Sequence, residues 1–138
     1  MTGTILLDTC AALWIMDNAW MRQEAVDAVD DAFDRGERIR VSPITGWELG
    51  LAASRGRFKS NLTPRRWLDA LLACPEFALA ELTPRVLLEA TFLPDMASRD
   101  PADRIIAATA REYGYTVMTR DKALLDYGRE GHLSVLEC

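Results

Sequence analysis

Four acidic side chains that lie far apart in the sequence are the residues best suited to chemistry. Asp8 follows the apolar run at residues 4–7, and Asp121 follows a second run at residues 116–119. In open α/β sheets, ligands bind at the carboxyl ends of the strands. Oxygen ligands select hard cations, so carboxylates gathered at this edge predict a Mg²⁺ or Mn²⁺ site. The four candidates are Asp8, Glu48, Asp103 and Asp121.

Three of these acids also have a purely structural explanation. Glu48 falls in the apolar stripe of a predicted helix, where an unpaired charge is costly, but it could reach solvent or pair with a nearby arginine. Asp103 falls in the first turn of another helix, where a carboxylate favours the positive helix end. Asp121 could cap the short helix that follows it. The case for a metal site therefore depends on all four converging.

Length and composition fit one globular domain spanning residues 1–138. The chain has 138 residues, of which 49% are hydrophobic, enough to bury about 70% of the unfolded surface in one core. There is no signal-peptide pattern and no apolar run of membrane-spanning length, so a soluble, cytoplasmic protein is expected. The three cysteines form no C-x-x-C pair and are expected to be reduced thiols, with Cys10 a small core residue.

Apolar runs of strand type alternate with helical patterns along the chain. This alternation predicts an α/β fold in which a parallel sheet is covered by helices on both faces. Threonine–proline, serine–proline and aspartate–proline pairs mark the helix starts. The predicted strands are Ile5–Leu7, Ile39–Val41, Ala78–Leu82, Thr116–Met118 and Leu133–Leu136, and the predicted helix starts are Ser42–Pro43, Thr63–Pro64, Thr83–Pro84 and Asp100–Pro101.

The net charge of −5 argues against a broad nucleic-acid surface, but the charge is unevenly distributed. Residues 35–66 hold eight basic and two acidic side chains, and this segment is either a local phosphate-binding face or a solvated helical hairpin. The only histidine, His132, lies in a predicted turn and is expected at the surface rather than as a general base. Four tryptophans are candidates for stacking on bases, although Trp47 is expected in the core: Trp14, Trp20, Trp47 and Trp67.

Four segments, in order, resemble the successive signatures of PIN-domain ribonucleases, and most of all the VapC-like toxins of type II toxin–antitoxin modules. The resemblance covers nearly the whole chain. Each signature alone is weak, whereas four in the right order and spacing are specific. They are residues 6–9, 42–49, 99–110 and 117–121, which read LLDT, SPITGWEL, RDPADRIIAATA and VMTRD.

The resemblance implies a three-layer α/β/α fold with a central five-stranded parallel sheet. It also implies a homodimer, cleavage of RNA and inhibition by a VapB-like antitoxin. Asp8, Glu48, Asp103 and Asp121 would form the catalytic acidic cluster, with Asp8, Asp103 and Asp121 as metal ligands and Thr119 as a supporting hydroxyl. One departure is visible at Ser98, where many relatives have a histidine.

The function predicted from these observations is a Mg²⁺- or Mn²⁺-dependent endoribonuclease that hydrolyses phosphodiester bonds with a metal-activated water. One alternative is a phosphatase or phospho-acceptor domain with Asp8 as nucleophile, although Cys10 stands where the second acid of an Asp-x-Asp motif is needed. The other is a catalytically silent protein-interaction module whose carboxylates only cap helices.

Overall fold

The computed structural model describes residues 3–138, so residues 1 and 2 of the predicted domain lie outside the described residues. Five parallel strands form one sheet in the order β3-β2-β1-β4-β5. The strands are β1 (Ile5–Leu7), β2 (Ile39–Val41), β3 (Phe77–Leu79), β4 (Thr116–Thr119) and β5 (Ser134–Glu137). Seven helices connect them: α1 (Thr9–Met16), α2 (Gln23–Asp34), α3 (Ile44–Ser54), α4 (Pro64–Ala73), α5 (Pro84–Thr91), α6 (Pro101–Tyr113) and α7 (Lys122–Arg129).

Strand β1 lies at the centre of the sheet, with β2 on one side and β4 on the other. The chain moves outward from β1 through β2 to β3, then returns to the other side for β4 and β5. Such a reversal of strand order opens a crevice at the carboxyl ends of the central strands. The pairing of Leu7 with Met118 brings the ends of β1 and β4 side by side.

The two faces of β1 support two separate apolar cores. Ile5 and Leu7 pack with buried residues of α1, α2 and α4, among them Ala11, Ala25 and Leu71. Leu6 points to the opposite face and packs with buried residues of α5, α6 and α7. Because successive side chains of a strand alternate between faces, a wholly apolar strand is covered on both sides. The predicted three-layer α/β/α fold with a five-stranded parallel sheet is confirmed.

Three of the four helix starts predicted from a residue followed by proline are observed, at α4, α5 and α6. Thr63 and Thr83 each accept a hydrogen bond from a backbone N–H in the first turn of the helix that follows, and Asp100 does the same for α6. Proline then occupies the first helical position, where no N–H is needed. At α3 the predicted start is wrong by one residue: Pro43 takes the capping position and the helix begins at Ile44, whose N–H donates to the Ser42 hydroxyl at 3.2 Å.

Three predicted strands differ from the observed ones at their ends, and the smallest difference is at β4, which extends one residue further, to Thr119. Strand β3 covers Phe77–Leu79 rather than 78–82, because the chain turns toward the Thr83 cap of α5. Strand β5 covers Ser134–Glu137, one residue later than predicted. Within residues 3–138, no helix is both long and apolar enough to cross a lipid bilayer.

Candidate functional site

Asp8 lies at the junction between β1 and α1 and is almost fully buried, with 6% of its surface exposed. Its backbone N–H donates to the carbonyl of Met118 at 3.2 Å, which continues the pairing between β1 and β4. Its Oδ1 accepts from the N–H of Ala11 at 2.8 Å and caps α1. Burial raises the pKa of Asp8, and the two hydrogen bonds that its carboxylate accepts, from Thr119 and Ala11, oppose that rise.

Thr119 connects two of the predicted acids. Its hydroxyl donates to Oδ2 of Asp8 at 2.5 Å and accepts from the N–H of Asp121 at 2.9 Å. Asp121 is exposed and uses Oδ2 to cap α7 through the N–H of Leu124 at 3.0 Å. Asp121 therefore caps α7, as its structural explanation predicts. The Asp121 carboxylate also lies near enough to Asp8 for its charge to raise the pKa of Asp8.

Glu48 is half-buried one turn into α3 and faces the first turn of α1. The Thr9 hydroxyl donates a short hydrogen bond to Oε1 of Glu48 and lies 3.1 Å from the hydroxyl of Thr45. Burial raises the pKa of Glu48, the bond from Thr9 lowers it, and the charges of Asp100 and Asp8 raise it further. No salt bridge to Glu48 is present among residues 3–138, so the alternative of pairing with an arginine is not observed.

Asp103 is half-buried at the third position of α6 and has the most perturbed carboxylate of the four. Burial raises its pKa to about 7, and the surrounding carboxylates add to that rise. These neighbours are Asp121, Asp100, Glu48 and Asp8, in decreasing order of effect. The four predicted acids, carried by different parts of the chain, therefore lie close enough to act on one another.

Asp100 is a member of this cluster that the sequence analysis treated only as a helix cap. Its Oδ1 accepts from the N–H of Ala102 at 2.9 Å, and its charge raises the pKa of both Asp103 and Glu48. The sequence analysis also missed Thr9, which directly follows Asp8 and whose hydroxyl donates to Glu48. In both cases the signal in the sequence was proximity to a candidate acid.

Cys10 corrects one prediction and helps to locate the site. It was expected in the core but is exposed. Because Ala11 and Ala12 form the buried face of α1, Cys10 projects away from the core. Partial burial of the thiol raises its pKa to about 11, and negative charge on the four acids contributes to the rise. The Cys10 thiol thus lies within reach of all four predicted carboxylates: Asp8, Glu48, Asp121 and Asp103.

The acids are close but not yet gathered into a coordination shell. Among residues 3–138, no three acidic, histidine or cysteine side chains form a group ready to hold a metal ion. Negative charge on Asp103 is disfavoured chiefly by burial and further by the neighbouring carboxylates, which together raise its pKa. Mg²⁺ binds through one or two carboxylates and keeps several waters, so the donor chemistry of this loose cluster fits such an ion.

A comparison with known protein families shows what this arrangement belongs to. Residues 5–130 match the family model described as PIN domain. This chain belongs to the PIN-domain family. The match begins at β1 and extends through α7, so it includes every acid of the cluster.

Relatives of this PIN domain agree with that assignment. The chain is 32% identical over 123 residues to Ribonuclease VapC22 from Mycobacterium tuberculosis (strain ATCC 25618 / H37Rv), a match that covers 88% of this chain and 89% of the relative. The fold resembles the crystal structure of VapBC2 from Rickettsia felis bound to a DNA fragment from their promoter, with a TM-score of 0.69 at 15% identity over 98% of each chain. It also resembles PAE2754 from Pyrobaculum aerophilum, with a TM-score of 0.60 at 18% identity over 99% of this chain and 92% of the other.

Two tryptophans of this PIN domain, Trp47 and Trp67, are not placed as predicted. Trp47 is 56% exposed, because Thr45 and Leu49 supply the buried face of α3 instead. Trp67 is buried in the core and cannot stack on a base. Trp14 is partly buried beneath the guanidinium of Arg120, and Trp20 is 75% exposed.

Five cations of the basic segment, all within residues 55–66, make no ion pair within the described part of the chain. They lie between α3 and α4 and in the first turn of α4, and all are exposed. No salt bridge among residues 3–138 includes any of them. Both interpretations of this segment therefore stay open. The cations are Arg55, Arg57, Lys59, Arg65 and Arg66.

Proposed function

We propose that this chain is a metal-dependent endoribonuclease that acts as the toxin of a type II toxin–antitoxin module. One observation carries the proposal: Asp8, Glu48, Asp103 and Asp121 come from four distant parts of the chain, yet their charges act on common neighbours at the crevice of a PIN-domain sheet. The relative that is 32% identical bears the name Ribonuclease VapC22, which supports RNA as the substrate. The Rickettsia felis structure is of VapBC2, which supports a protein antitoxin as partner.

The residues that would hold Mg²⁺ or Mn²⁺ are Asp8, Asp103 and Asp121. When bound, such an ion neutralises charge on the phosphate oxygens and lowers the pKa of a water molecule that attacks phosphorus. Asp8 is the most rigid of the three, because both of its oxygens accept hydrogen bonds within the protein. Burial and the neighbouring carboxylates disfavour the negative charge of Asp103, and a bound cation would stabilise that charge.

The chain's own residues divide the remaining work. Thr119 orients the Asp8 carboxylate and the backbone of Asp121. Thr9 holds Oε1 of Glu48, and Oε2 is left to accept a proton from water or from a substrate hydroxyl. The raised pKa of Glu48 suits proton transfer near neutral pH better than an ordinary carboxylate.

Conservative substitutions of the acids test the proposal. Asp8→Asn keeps the acceptor for the Ala11 N–H but removes the charge, and Asp103→Asn removes the charge at α6 while the Asp100 cap stays in place. Each is expected to lower Mn²⁺-dependent cleavage of an RNA pool by at least about 100-fold, because even loss of a partner that only orients a ligand costs 10- to 100-fold. The matched control is Asp31→Asn, which removes one charge from the exposed side of α2 and should leave cleavage unchanged.

The result also separates the alternatives. Full activity in both Asn variants would overturn the assignment of the site. Absence of cleavage in the wild-type protein, together with no Mn²⁺ binding in calorimetry, would favour the silent interaction module. Transfer of a phosphoryl group to Asp8 would favour the phospho-acceptor domain. The VapB-like antitoxin is tested by searching next to the gene for a small open reading frame and co-expressing its product with this chain, and the homodimer is tested by light scattering of the purified protein.

A further inference from the structure

Trp20 is a large aromatic side chain left open to solvent beside the candidate site. It lies between α1 and α2 and is 75% exposed, although Met21, its neighbour, is buried. An exposed ring of this size offers a large surface to a partner outside the chain, and its surroundings decide which kind of partner it suits.

The segment that carries Trp20 is fixed to the end of β4. Arg120 donates from Nη2 to the carbonyl of Trp20 at 2.7 Å and from Nε to the carbonyl of Cys138 at 2.7 Å. The Arg120 guanidinium carbon lies 3.8 Å from the centroid of the Trp14 ring and 5.8 Å from that of the Trp20 ring. The Trp20 ring is therefore held beside a cation rather than on an unanchored loop.

The same arginine connects Trp20 to the acids. Arg120 stands in the chain between Thr119, whose hydroxyl contacts Asp8, and Asp121. A nucleic-acid strand with its scissile phosphate at the acidic cluster would pass this arginine. The base next to the scissile phosphate would then lie on the open face of the Trp20 ring.

We propose that Trp20 is a stacking platform for an RNA base next to the cleaved bond, and this inference rests on the ribonuclease function proposed above. Bases of single-stranded RNA stack on aromatic rings and on guanidinium planes, and here one of each lies side by side. The surroundings favour a base over a protein partner. Protein interfaces use contiguous apolar surface, whereas the exposed neighbours of Trp20 in the sequence are mainly polar: Asp17, Asn18, Ala19 and Arg22.

The test measures RNA affinity rather than turnover alone. The proteins are Trp20→Ala, Trp20→Phe and wild type, each also carrying Asp8→Asn so that a short fluorescein-labelled single-stranded RNA stays intact during anisotropy titration. The RNA is one that the wild-type protein cleaves. Trp20→Ala is expected to weaken binding about 5- to 100-fold, the range found for loss of a stacked base, and Trp20→Phe is expected to restore most of it. KM for cleavage should rise in parallel in the proteins that retain Asp8, with kcat little changed.

Phe92 provides a matched control. It is also 75% exposed, but it lies beyond α5 beside Arg111 and Glu112, at the opposite end of α6 from Asp103. Phe92→Ala should bind the RNA with unchanged affinity. Melting temperatures of both alanine variants should match that of the wild type, because each removes only an exposed ring.

Abasic RNAs identify the contact. If a base stacks on Trp20, one abasic position in the RNA weakens wild-type binding and removes the difference between wild type and Trp20→Ala. The inference is overturned if Trp20→Ala binds RNA normally, if its defect persists at every abasic position, or if it loses only antitoxin or self-association. If the wild-type protein neither binds nor cleaves RNA, the proposed function is overturned and this inference with it.

Discussion

The hydroxyl of Thr119 donates to Oδ2 of Asp8 over 2.5 Å, although 111 positions separate the two residues in the sequence. The parallel pairing of β1 with β4 brings them together, because Leu7 is opposite Met118 and the next residue of each strand follows in step. The same hydroxyl accepts from the N–H of Asp121. One fully buried side chain thus positions two of the acids that we assign to the metal site.

Removal of this hydroxyl should affect both stability and activity. Thr119→Val keeps the shape of the side chain but leaves a buried oxygen of Asp8 without its donor, which costs about 1–3 kcal/mol of unfolding free energy. RNA cleavage should fall about 10- to 100-fold, as expected when the partner that orients a metal ligand is lost. Denaturant unfolding and initial cleavage rates measure the two effects.

Serine is the matched replacement at this position. Thr119→Ser keeps the donor and removes one methyl group, so its cleavage rate should remain near that of the wild type at a stability cost of about 1 kcal/mol. A valine variant that is as active as the serine variant would show that this hydroxyl does not support the site.

Two glycines in helices should respond in opposite directions to alanine. A Cβ at Gly128 in α7 would lie 2.4 Å from Cγ2 of Val135, whereas a Cβ at Gly50 in α3 would meet nothing within 4 Å. Gly50→Ala should raise the free energy of unfolding by about 0.5–1 kcal/mol through helix propensity. At Gly128 the overpacking cost of about 1–3 kcal/mol opposes and outweighs that gain. Equal melting temperatures for the two variants would contradict the close packing of α7 on β5.

The fold was predictable because local signals agreed with one another. The run Ile5–Leu7 is apolar at every position, which indicates a strand covered on both faces. Thr–Pro and Asp–Pro pairs indicate where helices begin. Five apolar runs gave the number of strands, and the family resemblance implied the same number. Strand ends were less predictable, because β3 stops where the turn toward α5 begins rather than where the apolar run ends.

The candidate site was predictable in its acids but not in its surroundings. Asp8 and Asp121 follow strands, so topology alone brings them to one edge. The exposure of Trp47 was not predictable, because α3 carries apolar residues around most of its circumference. A buried stripe through Ile44 and Trp47 fits the sequence as well as the observed buried face, which is formed by Thr45 and Leu49. Cys10 was misplaced for a similar reason, since a single turn of α1 decides which of three consecutive small residues face the core.

The acidic cluster should make the metal-free protein less stable as pH rises. The pKa of Asp103 is about 7 in the folded protein and 3.8 in its ordinary state, so between those values the folded state binds more protons than the unfolded state. The stabilisation is complete below about pH 4 and is lost as pH rises through 7. The slope is at most about 1.4 kcal/mol per pH unit from this group. Urea unfolding in EDTA across this range measures it.

Asp103→Asn removes the titrating group and should flatten that dependence. Asp8 and Glu48 also have raised pKa values, so a smaller slope of the same sign should persist. The Asp31→Asn control should keep the full slope. An unchanged slope in Asp103→Asn would contradict the raised pKa of Asp103, which burial causes first and the other acids increase.

Divalent metal should reverse the effect of pH on stability, because a cation needs the carboxylates deprotonated and competes with the protons that the empty cluster holds. Added Mn²⁺ should therefore raise the melting temperature more at about pH 8 than at about pH 6. At a concentration 100 times the dissociation constant, the stabilisation is about 2.7 kcal/mol. Asp103→Asn should lose most of this increase, whereas Asp31→Asn should retain it. If Mn²⁺ shifts the wild-type melting temperature at neither pH, the carboxylates do not form a metal site. The repulsion between them would then destabilise the PIN domain with no bound cation to offset it.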